Sequence, residues 1–145
     1  MILYLESKNS MIMNNLILNA SEKTPYFKLK SDGNFLFGGI SMPEDAASFY
    51  FNIIDWLSDY YRNPKKETFV VVSFRYLNSS SSSMVLKIFN AFKRLQETDK
   101  TKIKCTWYYE EDDLDILDYV DQDKQHADNI EFEILPTDEI KAPVN

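Results

Sequence analysis

Five consecutive serines, Ser79 to Ser83, follow Asn78 and separate an apolar run ending at Leu77 from another beginning at Met84. Hydroxyls so placed can cap a helix, act as a nucleophile or accept phosphate. A nucleophile needs a base, and the one histidine, His126, falls in a polar helix end that suits a solvated imidazole. The serines lack the glycines and lysine of a phosphate-cradling loop, and no GxSxG elbow is present. Cys105 is the one cysteine and lies on the apolar side of a strand pattern, as a small core residue does. With so few histidines and cysteines, a zinc site lacks ligands. The run "EEDDLDILDYVDQD" (110–123) holds eight carboxylates and no basic residue, without the spacing or central glycine of a calcium loop. Asp112 and Asp113 suit a helix start, and with Asp115 they read as a solvated acidic surface that steers a basic partner. No enzyme, metal site or cofactor is expected.

The elements around these residues follow from hydrophobic periodicity. "NLILNA" (15–20) and "YFKLKSDGNFLFGGI" (26–40) read as strands, the second folded into a hairpin at Asp32-Gly33. Ser41 and Glu44 have capping-box spacing before a helix whose apolar face is Ala46, Phe49, Tyr50, Ile53, Leu57 and Tyr60. "TFVVVSFRYL" (68–77) is continuous enough for a strand buried on both faces. A second amphipathic helix runs from Val85 through Ile88, Phe89, Phe92 and Leu95, so the serines form the strand-to-helix loop. "KIKCTWYY" (102–109) is a strand. A third, acidic helix has Leu114, Leu117, Tyr119 and Val120 as its apolar positions, and "IEFEIL" (130–135) closes the sheet. The order β-β-β-α-β-α-β-α-β predicts an α/β domain, a mixed sheet with helices packed on it.

At 145 residues the chain fits one domain, here placed at 14–136, with an N-terminal extension (1–13) and a C-terminal tail (137–145). No apolar run approaches a membrane span and no export signal is visible, so a cytoplasmic protein is expected. Residues 1–100 carry 12 basic and 10 acidic side chains, whereas residues 101–145 carry 4 and 13. That acidic end disfavours nucleic acid, which needs clustered Lys and Arg.

One residue suffices to cap a helix, and Asn78 or the first serine would add about 1 kcal/mol by doing so. An exposed hydroxyl at a helix N-terminus is also a good phosphoacceptor, because the dipole and free N–H groups there favour an anion. Both readings stand on the residues alone.

Four stretches, in order, carry a resemblance: "TP" at Thr24-Pro25, "SMPEDA" at 41–46 followed by "FY" and "DWL", "YLNSSSS" at 76–82, and "WYYEEDD" at 107–113. From about Leu16 to Pro136 the chain resembles the SiaC family of bacterial regulatory phosphoproteins. Their fold is similar to the STAS domains of anti-sigma-factor antagonists such as SpoIIAA. The resemblance implies a partner-switching protein, phosphorylated by a serine/threonine kinase of the histidine-kinase-like ATPase type and dephosphorylated by a PPM-type phosphatase. The unmodified form would bind and activate a diguanylate cyclase, promoting biofilm formation or aggregation. The family's acceptor, directly after the loop Asn, maps onto Ser79, with Ser80 and Ser81 as alternates and Asn78 to Ser82 as the docking surface. The family pattern usually has Thr at the acceptor, and Ser83 stands where a Lys often follows the loop.

Overall fold

The computed structural model describes residues 13–141. The expected N-terminal extension lies almost wholly outside them. The elements follow in the order β1 (Leu16–Leu18), β2 (Tyr26–Leu29), β3 (Asn34–Ser41), α1 (Ala46–Arg62), β4 (Glu67–Leu77), α2 (Ser79–Glu97), β5 (Lys102–Glu110), α3 (Leu114–His126) and β6 (Glu131–Thr137). The strands lie in the sheet in sequence order, β1-β2-β3-β4-β5-β6. β1, β2 and β3 pair antiparallel, while β3 to β6 pair parallel, each parallel step bridged by one helix. This is the expected mixed α/β sheet.

Alternation decides which side chains enter the core. Phe27, Leu29, Phe35, Phe37, Val70, Val72, Phe74, Ile103, Cys105 and Trp107 point to one face and are buried. All three helices pack there: Trp56 and Tyr60 of α1 and Phe92 of α2 meet Phe35, and Phe89 of α2 stacks on Trp107 at 5.7 Å. Ile116 and Val120 bring α3 into the same cluster. The other face carries Lys28, Leu36, Phe69, Val71, Lys104, Thr106 and Glu133, with Leu36 and Phe69 exposed. "TFVVVSFRYL" is therefore buried on one face only, contrary to the two-sided burial its composition suggests. Its apolar residues on the open face are what misleads.

Other expectations shift by a turn or a residue. The β2–β3 turn closes with Gly33 at φ 98°, where an added Cβ would fall 2.6 Å from the Glu67 carbonyl, so glycine is required. Asp45, not Ser41, caps α1 by accepting from the Ser48 N–H at 3.1 Å. Ser41 ends β3 and is fully buried. Trp56 joins the buried face of α1, and Phe49 is half-buried. In α3 the inward positions are Ile116, Val120 and Asp123, whereas Leu114 is exposed. β6 continues through Pro136 to Thr137, which an edge strand tolerates, and Ile140 is buried with its N–H on the Glu110 carboxylate. Residues 137–140 are thus tied to β5 and do not form a free tail.

Candidate functional site at the start of the second helix

The serines are helix, not loop. α2 begins at Ser79, and Asn78 is its N-cap, accepting from the Ser81 N–H at 2.8 Å while its carbonyl accepts from the Ser82 N–H. The six-residue difference from the expected start at Val85 has a simple cause. Serine disfavours a helix interior weakly, and a good cap with an apolar run behind it carries the helix through.

The five hydroxyls have different fates because a helix turns 100° per residue. Ser81 faces inward, fully buried, and is hydrogen-bonded at 2.8 Å to Ser41, which in turn bonds the Tyr50 hydroxyl at 2.8 Å. The Asn78 N–H also donates to the Ser41 carbonyl at 3.1 Å. This buried cluster ties the start of α2 to β3 and α1. Burial pushes the Tyr50 hydroxyl well above the usual phenol range, so it stays protonated. The Ser80 hydroxyl donates to the Asn78 side chain, and those of Ser82 and Ser83 donate to the Ser79 carbonyl. Ser79 is exposed, and among the described residues nothing hydrogen-bonds its hydroxyl.

Ser79 opens onto a cleft of about 360 Å3. Its walls are the end of β4 (Tyr76, Leu77), the start of α2 (Asn78, Ser79) and the first turns of α3 (Asp113, Asp115, Ile116, Asp118, Tyr119). It lies at the carboxyl end of β4, beside the loop that leaves β5, where parallel α/β sheets commonly place their sites. The acidic stretch and the serine tract, far apart in sequence, thus share one cleft, with three carboxylates and no basic side chain on its wall.

Of the acidic residues singled out from sequence, Asp113 and Asp115 line the cleft and Asp112 does not. Asp113 also caps α3, accepting from the Ile116 N–H at 3.1 Å. Sequence reasoning missed Asp118 and Tyr119, although Asp115, Asp118 and Tyr119 have the i, i+3, i+4 spacing of one helix face. It also missed Ser41 and Tyr50, whose pairing with Ser81 depends on tertiary contact. His126 is exposed at the end of α3, and Cys105 is buried, its thiol pushed up by burial and by nearby Asp123. Among the described residues no group of three or more His, Cys, Asp or Glu is placed to hold a metal ion. Nor is any described helix long and apolar enough to cross a membrane.

Residues 18–137 match the model of the SiaC family regulatory phosphoproteins. No curated protein matches by sequence. Among solved structures, apo-SiaC from Pseudomonas aeruginosa is similar with a TM-score of 0.75 and 18% identity, covering 85% of this chain and 99% of that one. The crystal structure of diguanylate cyclase SiaD in complex with its activator SiaC, from the same organism, matches with a TM-score of 0.73 and 18% identity, over 84% and 99%.

Proposed function

This chain belongs to the SiaC family of regulatory phosphoproteins, and on that premise we propose that Ser79 is its reversibly phosphorylated residue. The observation that carries the assignment is the division of labour among the serines. Asn78 caps the helix, Ser81 is buried, and Ser80, Ser82 and Ser83 are engaged locally, so Ser79 is left exposed beside the cleft. This weighs against the reading in which the serines only cap a helix within a constitutive interaction module, because the cap is already filled. It also favours Ser79 over Ser81, whose hydroxyl a kinase reaches only if the start of α2 opens.

The switch works by charge. A phosphoserine carries roughly −1.5 to −2 charges. The N-terminus of α2 favours that anion, while Asp113, Asp115 and Asp118 across the cleft oppose it. The phosphate therefore turns outward or pushes the first turn of α3 away, and either changes the surface a partner meets. In the unmodified state, that surface (Asn78, Ser79, Ser80 and Ser82 with the acidic wall of α3) binds and activates an effector such as a diguanylate cyclase. SiaC of P. aeruginosa is described as the activator of one. The protein acts by binding, not by catalysis, as a STAS-like partner switch in the cytoplasm. A histidine-kinase-like serine/threonine kinase and a PPM-type phosphatase set its state. Incubating the protein with its cognate kinase and Mg-ATP, then mapping the modified peptide, tests the site. Phosphate confined to Ser80 to Ser83 sinks it.

A further inference from the structure

We propose that residues 1–12 cross α1 and seat their apolar end, Met1 to Leu5, in the groove between α1 and α2. That groove is a cavity of about 190 Å3, walled by Ile54, Leu57 and Tyr61 of α1 and by Phe92, Arg94 and Leu95 of α2, among others. It opens to solvent on the outer side of the helical layer, where Ser58 and Tyr61 are exposed. Phe51, 65% exposed, extends the same apolar stripe of α1, because Phe51, Ile54, Ser58 and Tyr61 follow the i, i+3, i+7, i+10 spacing of one helix face.

The entry point of the chain identifies the occupant. Met13 packs against the core, and the Asn14 carbonyl accepts from the Trp56 indole N–H at 2.8 Å. The chain therefore arrives on the helical side of the sheet, against α1, and away from the open face. At 100° per residue, Trp56 lies roughly 140–160° round α1 from Ile54, Ser58 and Tyr61, on the flank opposite the groove. A path over the outside of a helix about 10–12 Å across is then roughly 15–20 Å, which five or six extended residues cover. Counted back from Asn14, that path uses residues 8–13 and delivers "MILYL" (1–5) to the groove. Burying such a run against apolar side chains is favourable.

The charges fall in step with this route. Lys8 is left over the outward face of α1, within reach of exposed Asp55, and Glu6, beside the apolar end, reaches the groove wall that carries exposed Arg94. Neither Asp55 nor Arg94 has an ion-pair partner among the described residues. The family match begins only at residue 18, so this segment lies outside it. The groove occupies the C-terminal halves of α1 and α2, so the Ser79 end of α2 stays open.

Cross-linking tests the proximity in the full chain, whose single cysteine, Cys105, is buried and does not compete. Leu5→Cys is combined either with Ser58→Cys, on the groove wall, or with Ile17→Cys, exposed on edge strand β1. A disulfide needs Cα atoms within about 7 Å, so under mild oxidation the pair with position 58 should close internally roughly tenfold faster than the pair with position 17. Adding Ile2→Ser and Leu3→Ser should slow that closure severalfold. Adding Glu6→Arg should slow it about threefold at low salt, and Arg94→Glu should then restore it. Equal rates for the two pairs, or faster closure to position 17, overturn the docking. A disulfide that forms only between two chains places the segment on a second copy and overturns it too. Closure indifferent to the serine and charge substitutions does the same.

Discussion

Ser79 carries the regulatory reading, and its substitutions separate signalling from stability. Ser79→Ala should abolish phosphate incorporation by the cognate kinase and leave the melting temperature within a degree or so, since nothing described bonds its hydroxyl. Ser79→Asp gains about 0.3–1 kcal/mol from the helix dipole and loses part of it to the facing carboxylates. A nearly unchanged melting temperature with weakened effector binding is expected, whereas a large drop would mean the position is structurally packed. Two residues on, the outcome inverts. Ser81→Ala or Ser41→Ala disrupts a buried hydrogen-bond cluster and should cost about 1–3 kcal/mol by urea denaturation. The double variant should cost less than the two together, because both remove the same bond. Asp123 supplies a pH dependence. Burial pushes its carboxyl up to about 8, so the folded protein holds a proton that the unfolded chain releases near pH 4. Between those values the native state binds more protons, and stability falls as pH rises, levelling above about 8. Asp123→Asn should remove that slope and raise the melting temperature at pH 8 more than at pH 5.

At the scale of elements, the acidic wall is a property of α3 as a helix. Its cleft-facing carboxylates should act mainly on encounter rates, over a range of about 8 Å at physiological salt. Replacing Asp113, Asp115 and Asp118 with Asn should slow association with a basic partner at low salt, change little at high salt, and barely alter dissociation. Asn at 113 keeps a side chain able to cap α3, so the helix should survive. An unaltered association rate for kinase and effector alike would reduce the wall to a solvated face. Periodicity made the existence and order of these elements legible, because most of the helices and strands have one clearly apolar side. Their ends were less so. The start of α2 was missed because serine has weak preferences and the Asn78 cap decides the matter. The inward turn of α3 was missed because Asp123 lies where an apolar residue is expected, and exposed Leu114 stood in for it. The cleft was not legible at all, since no local pattern shows that residues 78–79 and 113–119 meet.

For the molecule as a whole, the sheet order ranks its parts. β4 is flanked on both sides by long parallel partners, whereas β1 contributes three residues to one edge and β6 forms the other. Native-state hydrogen exchange should therefore find the slowest amides in β3, β4 and β5, with β1 and the end of β6 exchanging first. Equal protection at edge and centre would show that the edges are covered in solution. The same strand order bears on how the chain is made. Every strand pairs only with those immediately before and after it in sequence, so no segment leaving the ribosome waits for a distant one. The β1–β2–β3 hairpins can pair first, and each later helix and strand then adds to an edge already formed. The start of α2 acquires its buried anchors, Ser41 and Tyr50, from sequence already translated. Its cleft is completed only when α3 emerges, so the Ser79 helix is set before the acidic wall that faces it.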